Sequence, residues 1–330
     1  MGRLLVILLV LALLAAGLFA WESVNFNAPG PAAANGAAET DVLISPGIGL
    51  KGVAETLQEA GVVENPGLFM IGVRVRRTTE KLKAGEFAIP SRASMYDIMD
   101  ILIFGKAIQH KITAAEGLTS EMVAKLVAAD PVLAGKLDGT PPEGTLLPET
   151  YLFTRGTTRT QIVERMQKAQ DDLVADLWAK RAPGLPLKSP REALILASIV
   201  EKETSLPEER RHIAAVFVNR LHLGMKLQSD PTIIYAITGG YPLGHGIRQS
   251  ELVKATAYNT YVIPGLPPTP ICNPGKDSIA AVLDPETSKD LYFVASGNGG
   301  HVFAVTQKDQ DKNVAALRAR ERAQQRAGHK

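Results

Sequence analysis

Cysteine is nearly missing: Cys272 is the only one in 330 residues. A lone thiol excludes an internal disulfide framework and any multi-cysteine metal site. Histidine is sparse, six in all, and no pair falls at H-x-x-x-H or H-E-x-x-H spacing, so a zinc enzyme is not expected and no cofactor is inferred. Neither sign of charge is in excess. The formal net charge of +2 provides no whole-chain field for nucleic acid.

What is present first is a long apolar run. Leu4 to Trp21 carries no charge over 18 residues, within the roughly 17–25 that span a bilayer as a helix. The apolar core of a signal peptide is usually about 7–15 residues. An uncleaved anchor is therefore favoured, although Ala15-Ala16-Gly17 and the Ala20 region offer small residues for cleavage. Arg3 precedes the run, and no Lys or Arg follows it as far as Leu50. That asymmetry predicts a cytoplasmic amino end and an exported remainder. A lone cysteine suits an exported bacterial protein that does not depend on disulfides. Residues 1–21 read as tip and anchor, and 22–40, rich in Ala, Gly, Pro and Asn, as a flexible linker.

The rest has the length for two α+β domains. In residues 41–106, Val42-Leu43-Ile44 reads as a strand. Val53, Ala54 and Leu57 mark one face of a helix, Arg74-Val75-Arg76 alternates like an edge strand, and Ala88-Ile89-Pro90 reads as another strand. A helix from Met95 to Phe104, capped by Ser94 or Ser91, closes that unit. Residues 107–330 are mixed α/β and helix-rich in the middle. Ile112 to Val127 weakly echoes Ile44 to Leu57, too faintly for a repeat architecture. Thr160 to Arg181 reads as a long amphipathic helix, and Ser205-Leu206-Pro207-Glu208 as a capping-box start for a helix that stops at Gly224. Tyr292–Val294 and Val302–Val305, joined through Gly297-Asn298-Gly299-Gly300, read as a hairpin, followed by a charged helical tail.

Candidate chemistry centres on Glu201. Ser189, Pro190 and Glu192 mark the start of a helix over Ser189–Thr204, and Leu194, Ala197/Ser198 and Glu201 share one of its faces. An acid in line with a buried stripe and near a helix C-terminus is expected to have a raised pKa, as a general acid requires. The plain alternative is a helix-end carboxylate in solvent or paired with Lys202 or Arg210. Glu203 lies about 200° round the helix from Glu201, so the two cannot flank one glycosidic bond. One acid is the economical reading, with Glu203 structural, solvent-facing or supporting.

Two polar segments are candidate binding elements. Leu227-Gln228-Ser229-Asp230-Pro231-Thr232 could bind a hydroxyl-rich ligand through Gln228 and Asp230, or Asp230 could simply cap the next helix. Thr256 to Tyr261, before a Pro/Gly-rich stretch, offers Tyr258 for stacking on a sugar and Asn259 for its hydroxyls. The alternative there is a structural loop with its tyrosines in the core.

Taken in order, these segments resemble the endolytic murein transglycosylase (YceG-like) family. The matching residues are Glu116-Gly117, Glu143-Gly144, Leu147 to Tyr151, Ala197 to Thr204, Val218 to Leu221, Leu227 to Thr232, Tyr258 to Tyr261, Gly265 to Pro268, Tyr292 to Ala295, and Gly299-Gly300-His301 with Phe303. The resemblance implies an anchor, a LysM-like module over 41–106 and a transglycosylase domain over 107–330. It further implies cleavage within nascent peptidoglycan strands, with Glu201 catalytic and wall-synthesis enzymes, including glycan polymerases, as partners. Gln310-Asp311 departs from the His-Asn common in the family, and Cys272 stands where a small residue is expected; it reads as a small hydrophobe. Competing expectations are a hydrolytic muramidase with Asp230 as second acid, a non-catalytic wall-binding scaffold, and a cysteine protease built on Cys272 and His301.

Overall fold

The structure, a computed structural model, describes residues 2–328. The chain forms two compact units. One runs to Lys111 and takes back Leu152–Thr157, and the other holds Ile112–Tyr151 and the chain from Thr158 onward. The architecture is α+β.

The first unit begins with helix α1, Gly2–Phe26. Its Leu5–Phe26 stretch is long and apolar enough to cross a membrane, with a mean hydropathy of 2.5. The helix runs past Trp21, and its last residue, Phe26, is fully buried. There follow strand β1 (Glu39–Ile44), helices α2 (Leu50–Glu59) and α3 (Pro66–Val75), strand β2 (Gly85–Pro90) and helix α4 (Met95–Phe104). β1 and β2 pair antiparallel, from Glu39 opposite Pro90 to Ile44 opposite Gly85. Period-two burial turns Val42, Ile44, Phe87 and Ile89 inward, as a sheet with one covered face requires. Val53, Ala54 and Leu57 of α2 and Ile98, Met99, Leu102 and Ile103 of α4 complete the core. Ser94 caps α4 in a capping box with Asp97.

Two expectations are corrected here. Arg74 and Val75 are the end of helix α3, and Arg76 is its C-cap. Asn65 accepts a hydrogen bond from the Leu68 N–H, Pro66 sits in the first turn, and Leu68, Phe69, Gly72 and Val73 make a buried stripe. That cap and helical spacing outweigh a three-residue alternation. Nor is 22–40 a free spacer. Phe26 stacks on Phe69 at 6.2 Å between ring centroids, and Gly72 permits this because a Cβ there would lie 2.2 Å from the Phe26 ring. Further on, the Gly30 N–H donates to the Arg92 carbonyl, the Arg92 N–H to Pro31, the Ser91 N–H to Ala38, and the Ala33 N–H to Ser91 Oγ. The stretch is strapped along its unit by backbone bonds, which need no apolar pattern.

The chain passes between units within two short strands, β3 (His110–Thr113) and β4 (Thr150–Phe153), with α5 (Ser120–Ala129) between them. The second unit continues with α6 (Arg159–Ala179), α7 (Pro190–Glu203), α8 (Pro207–His222), α9 (Asp230–Thr238), the single turn α10 (Gln249–Leu252), α11 (Lys276–Leu283), strands β5 (Tyr292–Ala295) and β6 (His301–Ala304), and α12 (Gln307–Gly328). Its core is built around α7, of which Ala193 and every residue from Ile195 to Val200 are buried. A helix apolar on all sides is one that others surround; α8, α11, α6 and α9 pack on it. The β5–β6 hairpin lies on α8, where Phe293 meets Phe217 edge-on at 5.7 Å and His212 stacks on Phe303 at 3.7 Å.

The capping box read at Ser205 does not form. Leu206 holds the N-cap position of α8 without a side-chain bond, while Thr204 Oγ1 accepts the Leu206 N–H at 3.0 Å. Pro207 removes one of the amides a cap would serve, and Glu209 turns away to His301, whose Nδ1 lies 2.6 Å from its Oε2.

Candidate active site

The last turn of α7 delivers Glu201. Ser189 starts the helix by accepting the Glu192 N–H at 3.3 Å, and burial of Ile195–Val200 fixes its rotation. Glu201 is then half-buried where α7 leaves the core. Its Oε2 accepts the Gly275 N–H at 2.9 Å. Gly275 is the N-cap of α11, so the carboxyl faces the positive end of that helix. With Oε2 held, Oε1 is the oxygen free to carry a proton to or from a ligand.

A second carboxyl comes to the same glycine from the Glu116-Gly117 turn. A Cβ on Gly275 would lie 1.8 Å from Glu116 Oε1, so only glycine allows both carboxyls there. Gly117, at φ +76°, donates its N–H to the Asn273 carbonyl at 3.0 Å and accepts from Lys202 Nζ at 3.3 Å. Glu116 also pairs with Arg210 at 3.6 Å, and Arg210 reaches Asp277 at 3.3 Å. Burial, then the negative charge of Glu201, raises the Glu116 pKa; Arg210 opposes, and Asp277 and Glu149 add to the rise.

Asn273 ties this corner together. It is fully buried, its Oδ1 accepts the Leu146 N–H at 3.0 Å, and its Nδ2 donates to the Leu118 carbonyl at 3.1 Å. Glu143 accepts the Ser120 N–H at 2.8 Å and the Tyr235 hydroxyl at 3.2 Å, and burial pushes its carboxyl up. Cys272 is fully buried with its Sγ 3.4 Å from the Ser198 carbonyl. Burial and then Glu201 hold its thiol well above the ordinary value, the opposite of an activated nucleophile.

Glu203 leaves α7 on the other side. Its Oε1 accepts the Ser229 hydroxyl at 2.5 Å. Burial pushes its carboxyl up to about 7, with Asp230 adding while Ser229 and Arg220 oppose. The two proposed binding segments meet here. Gln228 donates its N–H to the Thr260 carbonyl at 3.1 Å, Ser229 its N–H to Thr260 Oγ1 at 2.9 Å, and the Tyr261 hydroxyl donates to Asp230 at 2.6 Å. The side chains of Gln228 and Asp230 are exposed, and Gln228 has a left-handed φ of +51°. Ser229, not Asp230, holds the N-cap position of α9, with its hydroxyl turned to Glu203.

Tyr258 and Asn259 are placed differently from the expectation. The Tyr258 hydroxyl bonds Thr269 Oγ1 at 2.7 Å, and its ring lies 5.0 Å from that of Tyr235, against the core. Asn259 is 1% exposed. Its Nδ2 donates to the carbonyls of Glu251, Leu252 and Lys254 at 2.8–3.2 Å, and its Oδ1 accepts the Tyr261 N–H at 3.0 Å. A buried amide must be satisfied, and this one is satisfied by its own loop rather than by a ligand. The sequence gives no role to Gly275 and places Glu116 only among the resemblance motifs, while Arg210, a possible partner of Glu201 there, pairs instead with Glu116 and Asp277. Their meeting is a long-range event that helical spacing cannot reveal.

Fold and site define an α+β domain, behind one membrane-length helix, that presents a fixed carboxyl at the end of a buried helix. The chain belongs to the YceG-like family, whose profile matches residues 42–316. It is similar to the endolytic murein transglycosylase of Streptococcus pneumoniae serotype 2 (strain D39), 30% identical over 93% of this chain and 64% of the relative. It is also similar to that of Bacillus subtilis (strain 168), 36% identical over 52% of this chain and 47% of the relative. A crystal structure of a YceG-like protein from Listeria monocytogenes covers 83% of this chain and 98% of its own, with 30% identity and a TM-score of 0.51. The chain thus spans less than two thirds of the length of the streptococcal relative.

Proposed function

We propose that the protein is a membrane-anchored lytic transglycosylase that cleaves within peptidoglycan strands between N-acetylmuramic acid and N-acetylglucosamine. Glu201 serves as both acid and base. The observation that carries the reading is its carboxyl, held by the Gly275 N–H at the end of a buried helix; the names of the relatives supply the substrate. Protonated Glu201 donates to the glycosidic oxygen as the C1–O bond breaks and positive charge develops at muramic acid C1. The resulting carboxylate takes the proton of the same sugar's C6 hydroxyl as that oxygen bonds to C1. The product is a 1,6-anhydromuramoyl end. The nucleophile belongs to the substrate, so a single acid/base carries both proton transfers.

In this reading Gln228 and Asp230 present the exposed polar edge that meets the glycan, while Tyr258 and Asn259 shape it from behind. Residues 41–106 are the LysM-like module, the bulk of the chain is periplasmic with the amino end in the cytoplasm, and the partners are peptidoglycan synthases. Mass spectrometry of digested strands tests the chemistry. Anhydromuramoyl ends are expected. Reducing muramic acid ends would identify the hydrolytic alternative, for which Asp230, exposed and oriented by Tyr261, is the second acid.

A further inference from the structure

Helix α3 has a face the proposed reaction does not use. Leu68, Phe69, Gly72 and Val73 point into the core of the first unit, while Ile71 and Val75 are 51% and 48% exposed. Arg74 and Arg77 flank them, both exposed, and neither has an ion pair among the described residues. Lys81 and Lys83 follow, also exposed; the exposed acids nearest in sequence are Glu64 before the helix and Glu80 after it, and α2, which packs on α3, exposes Glu55, paired with Lys51, and Glu59. Arg76 is neutralised by Glu22 of α1 at 2.8 Å and lies 4.1 Å over the Phe26 ring.

These contacts tie α3 to the end of α1. Taking Trp21 as the end of the apolar run, Phe26 stands only about 8 Å further along the helix at 1.5 Å per residue. Phe26 is packed in the core, so that core lies beyond the end of α1. Arg76 meets Glu22, the residue after Trp21, so the C-terminal turn of α3 sits at the end of the apolar run. Apolar side chains rimmed by unpaired cations suit a membrane surface, where the former enter the headgroup region and the latter meet anionic lipid.

We infer that Ile71, Arg74, Val75 and Arg77 form a docking face by which the first unit lies on the anionic headgroups of the bilayer crossed by α1. The inference rests on α1 being a membrane span. It adds that the first unit is held flat on the surface rather than swinging free from its anchor.

The test uses the full chain reconstituted into phosphatidylcholine vesicles with and without phosphatidylglycerol. An environment-sensitive fluorophore is placed on Ile71→Cys, Val75→Cys or, for comparison, Phe104→Cys, since native Cys272 is buried. Quenching by brominated lipid is expected to be several-fold stronger at 71 and 75 than at 104. It should fall several-fold when phosphatidylglycerol is omitted or when Arg74→Glu and Arg77→Glu are combined. Equal quenching at the three sites, or quenching indifferent to lipid charge and to charge reversal, overturns the docking face. Alkaline extraction is run on the same vesicles. Protein that stays with the lipid but fails the quenching test removes the face and leaves the anchor; protein that is extracted removes the anchor itself.

Discussion

Glu201 and Glu203 leave the same helix two residues apart and enter opposite surroundings. Glu201 meets a backbone N–H at the start of α11, with Glu116 and Arg210 beside it. Glu203 is closed against Ser229 and Asp230, where burial pushes it up to about 7. Burial of an acid alone does not distinguish a reacting group from a supporting one. The difference lies in what each one meets. Both are half-buried, but Glu201 accepts a backbone N–H at the start of α11, whereas Glu203 accepts the Ser229 hydroxyl and joins α7 to the segment at Gln228–Asp230.

The comparison breaks most severely if Glu201 is dispensable. Glu201→Gln is expected to lower the rate of strand cleavage by about a thousandfold, the middle of the range for a general acid/base, with circular dichroism unchanged; cleavage near the wild-type rate would falsify the assignment. Gly275→Ala comes next. Its methyl would collide with Glu116 Oε1 and displace the N–H that holds Glu201. A misplacement on the order of 1 Å costs roughly a hundredfold, so turnover should fall by about that factor while glycan binding, measured by pull-down, persists.

Glu203 sharpens the other side. Its folded pKa of about 7 lies above the 4.5 of a free glutamate, so the folded protein binds its proton more tightly than the unfolded chain. The stabilisation is full below about pH 4.5 and is lost as pH rises through 7, by an amount on the order of 3 kcal/mol. Glu203→Gln can still accept the Ser229 hydroxyl and cannot ionise. Its denaturant midpoint should therefore exceed that of the wild type at pH 8 and match it near pH 4.5; parallel curves for the two proteins would show that Glu203 is not protonated in the fold. The smallest effect is at Asn259. Asn259→Ala leaves three loop carbonyls without their donor, and the stability loss should be about 1–3 kcal/mol with the KM for glycan unchanged. A raised KM at unchanged stability would return Asn259 to the ligand.

The elements that could be read along the chain are those with strong local signals. Ser189 and Pro190 announced α7, Ser94 announced α4, and the Gly-Asn-Gly-Gly loop announced the β5–β6 hairpin. Where the local signal was short, tertiary context prevailed. The alternating Arg74-Val75-Arg76 became the end of a helix because Leu68, Phe69 and Val73 had a core to enter. The stretch after Trp21 looked like a spacer because backbone bonds to Arg92 and Ser91 leave no mark in composition.

The site divides in the same way. Helical periodicity by itself determined that Glu201 and Glu203 face apart and that Glu201 lies in line with a buried stripe, since 100° per residue depends only on the helix. It also determined a run of membrane-spanning length, which depends only on counting apolar residues. Only the tertiary structure decided that Glu116 and Gly275 join Glu201, that Asn259 turns inward and that Glu203 meets Ser229. The contacts of Glu116, Gly275 and Ser229 join residues far apart in the chain, those of Asn259 close its own loop, and all are chosen by which side chains fill the remaining space and which buried polar groups must then find partners.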